Sequence, residues 1–372
     1  MTARRVPFVN LQPGEDHAAV TAAIDRVLAR GWFILGPEVA AFETEFAAAC
    51  GAPHAVGVGT GTDALALILR GLGIGPGDEV ITTPVSAAFT ALSIMMAGAR
   101  PVFADIDPTR LTLCPTAAAS AITPRTAAIM PVHLYGQAAD MATFAQLAQR
   151  HGLALIEDCC QSHLGTCAGR PVGTFGAAGA FSFYPTKNLG ALGDGGAIVT
   201  ADKALADRVR RLRNGGQATR YNHVEAGVNS RLDELQAAIL RARLPFLREW
   251  TARRRALAAL YRARLSGAPV VVPPELDPGH VYHLFPVRSS ERPALQAHLA
   301  SQGFDTLIHY PVPIPRLPAL AAVDPADCPV ASQLCDEVLS LPLYPSLTDD
   351  DVAAAADAVC RFASRRSAGV GP

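Results

Sequence analysis

Two periods of apolar residues alternate along most of this chain. Asp16 to Arg30 carries them at helical spacing and stops at Gly31, and Pro37 opens a second helix ending near Cys50-Gly51. The apolar turn between them, Trp32-Phe33-Ile34-Leu35-Gly36-Pro37, presents two aromatics that either plug a core or meet a ligand. From His54 the chain reads as a short strand, a glycine-rich turn and a helix starting near Thr62. Strand and helix then repeat: Glu79–Thr82, a helix around Ala87–Ala97, Pro101–Ala104, a helix near Thr116–Ile122, Ala127–Pro131, a helix Met141–Arg150, and Leu153–Glu157. That alternation predicts an α/β fold with a mostly parallel sheet covered by helices on both faces. Ligands of such sheets bind beyond the carboxyl ends of the strands, where Asp158, Gln161 and His163 fall.

The second half is less regular. Asp202–Arg213 reads as a helix, a polar loop contains Tyr221 and His223, and a helix carried by Leu235, Ile239 and Leu240 follows Asp233. Arg243 to Arg264 predicts one long helix whose arginines form a solvated face, leading into a smaller C-terminal α+β domain. That domain mixes a strand at Tyr282–Val287 with helices at Pro293–Gln302 and Asp349–Phe362. The expected division is 1–245 for the large domain, 246–363 for the small one, and 364–372 as a disordered tail.

Composition narrows the classes. Only 17% of residues are charged and the formal net charge is −1, which gives no general pull towards nucleic acid or an anionic membrane. No run reaches the ~18 apolar residues of a membrane span, and Met1–Gln12 lacks the apolar core of a signal peptide, so the cytoplasm is the expected location. The eight cysteines have no familiar ligand spacing; reduced thiols are expected, without disulfide or metal.

Candidate chemistry centres on Ser182–Thr200. Lys187 lies between an aromatic run that reads as a strand end and a glycine-rich turn into another strand. A lysine on such a tight loop is either partly desolvated, which favours the neutral nucleophilic amine of Schiff-base chemistry, or an ordinary solvated surface lysine. The turn Gly61-Thr62-Asp63 opens a helix, where free N–H groups attract a small phosphate; neither the full dinucleotide pattern nor a Walker lysine is there. Pyridoxal 5′-phosphate needs an amine, an anion cradle and a carboxylate that keeps its ring nitrogen protonated. Lys187, the Gly61–Asp63 turn with Ser182, and Asp158 would supply these in turn.

Several motifs carry a resemblance. Ser182-Phe-Tyr-Pro-Thr-Lys187-Asn-Leu-Gly, Glu157-Asp158-Cys-Cys-Gln161-Ser-His163, Gly61-Thr62-Asp63-Ala-Leu, Asn229-Ser-Arg231-Leu-Asp, Gly31-Trp32-Phe33 and Pro101-Val-Phe-Ala-Asp resemble the DegT/StrS-type (DegT/DnrJ/EryC/StrS) PLP-dependent sugar aminotransferases. The resemblance runs to the His309-Tyr310-Pro loop. It implies a fold-type I enzyme, a homodimer with each active site at the subunit interface. Lys187 would be the imine-forming lysine and proton shuttle, Asp158 the partner of the pyridinium nitrogen and Gln161 the neighbour of the phenolic oxygen. Ser182 and Gly61–Asp63 would hold the phosphate, with Asn229 reaching across from the neighbouring subunit. Tyr184, Tyr221, His309 and Tyr310 would meet the substrate. One position departs from the family: where an aromatic commonly stacks on the cofactor ring this chain has Ala88, so either the adjacent Phe89 takes that role or something smaller covers the ring.

The expected reaction is transfer of an amino group from an amino acid, glutamate foremost, to a nucleoside-diphosphate-linked ketosugar. A keto-cyclitol acceptor, a dehydratase on the same fold, or a PLP-binding regulator without turnover are the competing readings. The family's dehydratases carry histidine where Lys187 stands.

Overall fold

Helix α1 (His17–Arg30) ends where Gly31 turns left-handed at φ 68°, its N–H closing on Val27 O at 3.0 Å. Pro37 starts α2 (Pro37–Ala49), as its fixed φ and missing N–H allow. The computed structural model describes residues 5–321, 323–324 and 326–369, with side chains to residue 362. After α2 come β1 (His54–Val58), α3 (Gly61–Gly71), β2 (Glu79–Thr82), α4 (Phe89–Met96), β3 (Arg100–Phe103), α5 (Pro115–Ser120), β4 (Thr126–Met130), α6 (Met141–His151) and β5 (Ala154–Asp158). A small hairpin of β6 (Thr166–Cys167) and β7 (Arg170–Pro171) precedes β8 (Ala178–Ser182) and β9 (Gly196–Thr200).

Seven of these strands form one sheet in the order β1-β9-β8-β5-β4-β2-β3. β2, β3, β4, β5 and β8 run parallel, and β9 runs against both its neighbours, β1 and β8. The sheet is therefore mixed, with the expected parallel core. One apolar cluster, including Phe42, Phe46, Phe144 and Leu240, covers one side; another, including Leu65, Ile68, Ile94 and Val209, covers the other. Strand alternation does the positioning. Phe181 and Phe183 point into the core, with edge-to-face contacts to Phe46 at 5.2 Å and Phe42 at 5.3 Å, so Ser182 between them faces the opposite side. Each such aromatic pair adds about 0.5–1.5 kcal/mol beyond its area burial, which anchors the strand that ends in the lysine loop.

The remaining elements are α7 (Lys203–Leu212), the hairpin β10 (Gln217–Thr219) and β11 (Asn222–His223), α8 (Glu234–Arg243) and α9 (Leu247–Arg264). They are followed by β12 (Phe285–Arg288), α10 (Arg292–Ser301), α11 (Pro329–Glu337), β13 (Val338–Leu341) and α12 (Asp349–Gly369). A further core joins α9, α10, α12 and the antiparallel pair β12–β13 through Leu257, Tyr261, Phe285, Leu299, Leu341 and Val359. Val6 belongs to it and bridges Phe304, so the N-terminal segment is tied to the C-terminal core.

Four expectations are corrected. The single helix Arg243–Arg264 is broken by a 3₁₀ turn at Leu244–Phe246, where Pro245 has no N–H to continue the ladder. Its arginines are not all solvated, since Arg243 is 8% and Arg254 6% exposed. The strand expected from Tyr282 begins only at Phe285, because Tyr282 is left-handed at φ 46°. Of the tail 364–372, residues 370–372 lie outside the described residues, and α12 continues to Gly369 past its expected end at Phe362. All eight cysteines are free thiols, and no described helix is long and apolar enough to cross a membrane.

Candidate active site

The carboxyl ends of β5 and β8 and the turn after β1 converge. Asp158 closes β5, is 4% exposed, and accepts from Thr90 Oγ1 at 2.8 Å and from the Cys160 N–H at 3.1 Å. Among the described residues it makes no ion pair within 4.0 Å. A buried carboxylate held by two donors but without a cation is costly, and a protonated heteroaromatic nitrogen is the kind of partner that relieves it. Behind it, Glu157 accepts the N–H groups of Gly173 at 2.7 Å and Phe175 at 2.6 Å, and bonds His133 Nε2 at 3.1 Å. His133, Glu157 and Cys159 have ligand atoms within 4.8 Å of one another, yet His133 Nδ1 also accepts from the Ala139 N–H. The group is therefore a buried strut under Asp158, with its nitrogens and oxygens already engaged.

Lys187 sits on the loop joining β8 to β9, its N–H bonded to Tyr184 O at 2.8 Å. Its side-chain amine has no hydrogen bond or ion pair among the described residues. Burial pushes its pKa down, opposed by the nearby Cys160 and Asp158. The desolvated reading of this lysine is the one the environment supports. Lys187 in turn helps burial hold His163 down to about 3 and His309 to about 4, so both rings are neutral. His163 Nε2 donates to Ser182 O at 2.8 Å, which fixes its tautomer and leaves Nδ1 buried without a partner.

The anion cradle forms where α3 starts. Thr60 caps the helix by accepting from the Asp63 N–H at 3.0 Å, while the N–H groups of Gly61 and Thr62 make no hydrogen bond among the described residues. A Cβ on Gly61 would stand 2.7 Å from Ser182 Cβ and 2.8 Å from Cys160 Sγ, so only glycine lets this backbone lie against β8. Ser182 Oγ accepts weakly from the Tyr184 N–H at 3.3 Å and keeps its own proton to donate. Asp63 is engaged elsewhere: its Oδ2 accepts from Ser230 Oγ at 2.7 Å, and its N–H donates to Thr60 Oγ1.

A third group closes the site from the C-terminal half. Gln161, 3% exposed, accepts from the Tyr135 N–H at 2.8 Å and donates to Tyr310 Oη at 3.1 Å. Tyr135 is fully buried in a left-handed conformation, φ 59° and ψ 3°, and its hydroxyl donates to His309 O. His309 also meets Ser340 Oγ at 3.0 Å and lies 5.5 Å from the Phe8 ring.

The structure thus gathers Lys187, Asp158, Gln161, Ser182, Gly61, Thr62, His309 and Tyr310. Tyr221 is 78% exposed on the β10–β11 hairpin and Asn229 is exposed, and neither has a hydrogen bond to these residues among the described ones. Phe89 is 61% exposed at the start of α4, and Tyr184 is 52% exposed. Trp32 and Phe33, at 55% and 45% exposure, are not a plug of the core. Sequence reasoning missed Thr90, Tyr135 and Cys160. It also missed a plain count: the chain has two lysines, Lys187 and Lys203, and Lys203 is solvated and paired with Asp207 at 2.5 Å.

An amine, a cation-seeking carboxylate and a phosphate-sized cradle match the demands of pyridoxal 5′-phosphate. Asp158 would hold its ring nitrogen, Gly61, Thr62 and Ser182 its phosphate, and Lys187 its aldehyde carbon. Similar proteins point the same way. It is 49% identical over 369 residues to dTDP-3-amino-3,4,6-trideoxy-alpha-D-glucose transaminase of Streptomyces venezuelae, covering 97% of each chain. Its fold matches the crystal structure of S. venezuelae DesV in complex with a ketimine intermediate, with a TM-score of 0.94 and 49% identity over 97% of this chain and 99% of that one. It likewise matches NtdA from Bacillus subtilis with bound cofactor PMP, with a TM-score of 0.89 and 31% identity over 97% of this chain and 86% of that one. With the family model matched from residue 15 to 360, the chain belongs to the DegT/DnrJ/EryC1/StrS aminotransferase family.

Proposed function

We propose that this pyridoxal 5′-phosphate-dependent aminotransferase moves an amino group from glutamate to the ketone of a nucleoside-diphosphate-linked deoxysugar. The observation that carries the chemistry is the placing of Lys187, a half-buried amine without a hydrogen-bond or ion-pair partner among the described residues, near Asp158, a buried carboxylate without an ion pair there. When bound, the cofactor supplies a carbonyl that condenses with amines and a ring that withdraws electrons from the donor's Cα. Asp158 holds positive charge at the ring nitrogen, oriented by Thr90 and the Cys160 N–H. Lys187 Nζ, half-buried and shifted towards its neutral form, would be the base that takes the proton from the donor's Cα and the acid that returns it at the cofactor's aldehyde carbon. Gln161, clamped between Tyr135 and Tyr310, orients the ring's oxygen side. His309, Tyr310 and Tyr184 would meet the sugar on the Lys187 side of the site, with 1–245 as the large and 246–363 as the small domain of each subunit.

The reading includes a cytoplasmic homodimer. Its support is the exposure of Trp32, Phe33, Phe89, Tyr184 and Tyr221, large aromatics that a monomer would leave in water, together with exposed Asn229. Asn229 would then serve the partner's cradle. The test is to incubate holoenzyme with glutamate and a panel of dTDP- and UDP-ketosugars and, separately, keto-cyclitols, and to follow 2-oxoglutarate. Sustained release, beyond the one equivalent that each bound cofactor gives with glutamate alone, is expected with a nucleotide sugar and not with a cyclitol; sustained release confined to cyclitols, or absent with both ketone classes, overturns the substrate assignment.

A further inference from the structure

Arg254 on α9 is 6% exposed and has no carboxylate partner among the described residues. Its Nη1 donates to the carbonyl oxygens of Tyr282 at 3.2 Å, His283 at 3.3 Å and Leu343 at 2.8 Å. Its Nε–H is buried without an acceptor, and no described group bonds Nη2. The unused Nε–Nη2 edge is the side of a guanidinium that grips a carboxylate with two parallel hydrogen bonds.

The side chain lines a cavity of about 420 Å³ that Lys187 also lines, between the N-terminal arm and α9. The other cations there are neutralised: Arg243 pairs with Asp16 at 2.7 Å and Arg253 with Asp349 at 2.7 Å. Glu15 accepts from Trp250 Nε1, and Glu249 stands exposed at the rim. His283 connects Arg254 to the Lys187 loop. Its carbonyl accepts from Arg254, its Nδ1 bonds Asn188 Oδ1 at 3.1 Å beside Lys187, and burial, aided by Lys187 and Arg254, presses its basicity down.

We propose that Arg254 is the anion-binding group of this cavity and takes a carboxylate of the amino donor. The proposal rests on the amino-donor reading above. The acceptor's diphosphate is an oxyanion too, but a donor carboxylate is attached directly to the Cα that Lys187 must reach, whereas the diphosphate hangs on a different sugar carbon from the ketone.

The test uses holoenzyme of wild type, Arg254→Gln and Arg254→Lys. Single turnover with L-glutamate is followed by loss of the cofactor's visible absorbance, and dTDP affinity is measured by calorimetry. Arg254→Gln is expected to raise half-saturation by glutamate about ten- to hundredfold, with dTDP affinity unchanged within about twofold. Glutarate, a dicarboxylate that cannot react, is expected to raise the melting temperature of wild type but not of Arg254→Lys, which keeps the charge and loses the fork. The lysine variant also decides the matter if the glutamine variant does not fold. Unchanged glutamate half-saturation in a folded variant, an equal loss of dTDP affinity, or equal glutarate stabilisation of wild type and Arg254→Lys overturns the proposal. If wild type does not react with glutamate at all, the donor reading fails, while glutarate still judges the anion site.

Discussion

Replacing Gly61 by alanine sets two physical effects against each other. On helix propensity alone the change is favourable, by up to about 1 kcal/mol in a helix interior and less at this first position. The surroundings reverse the sign. The new methyl would lie 2.7 Å from Ser182 Cβ, 3.2 Å from Ser182 Cα and 2.8 Å from Cys160 Sγ. Carbon pairs are at their optimum near 3.5–4.0 Å, so an overlap of about 0.8 Å or more must be relieved. The Cys160 side chain can rotate, but Ser182 Cα belongs to β8, which is paired to both β5 and β9. The start of α3 must move instead, at about 1–3 kcal/mol for a packed site. That motion carries the Gly61 and Thr62 N–H groups away from Ser182, so pyridoxal phosphate is expected to bind Gly61→Ala apoenzyme at least about tenfold more weakly. Fluorescence titration of apoenzyme with the cofactor, beside thermal melts, measures both terms. Wild-type affinity together with a raised melting temperature would show that propensity wins and that the turn is not the cradle.

Thr90→Val removes a hydroxyl from Asp158 Oδ2, a charge-assisted bond of about 1.5–3 kcal/mol. It should lower kcat about tenfold or more while Thr90→Ser stays near wild type; equal rates for the two variants would contradict the role given to Thr90. With its pKa lowered by burial, Lys187 in apoenzyme is neutral at lower pH than an ordinary lysine, so competitive acylation should give it a midpoint below the ordinary lysine range. A midpoint within that range would refute desolvation. Bonding from Arg26, aided by Arg241, holds the buried Glu38 carboxyl down to about 2 from its usual 4.5. Its stabilising contribution is therefore complete above pH 4.5 and lost as pH falls through about 2. Glu38→Gln should cost about 1–2 kcal/mol at neutral pH and flatten the melting temperature's fall across that window; an unchanged acid profile would contradict it.

Much of the large domain was legible because its strands are short apolar runs bounded by turn residues, and parallel strands buried on both faces leave that signature. Asp158, Ser182, Gly61 and Lys187 could be found because each lies where a strand ends or a helix starts, which is a local property. Thr90 was not legible: its hydroxyl matters only because α4 delivers it to a carboxylate 68 positions away. Tyr135 is hidden for a similar reason, since its left-handed backbone and its bonds to Gln161 and His309 are tertiary. Arg254 shows how periodicity misleads. It lies among arginines that read as a solvated face, and only the packing of α9 against Tyr282–His283 and Leu343 buries it. Tyr221 and Asn229 are read from motifs rather than from one chain's geometry, and their assignment rests on a second subunit.

The central claim is that Lys187 is the residue to which the cofactor attaches. Only two lysines occur in the chain, so borohydride reduction of the yellow holoenzyme, digestion and mass spectrometry give a two-way outcome. A pyridoxyl group on Lys187 and an unmodified Lys203 is the predicted result; a reduced, modified protein whose Lys187 peptide is unchanged contradicts it.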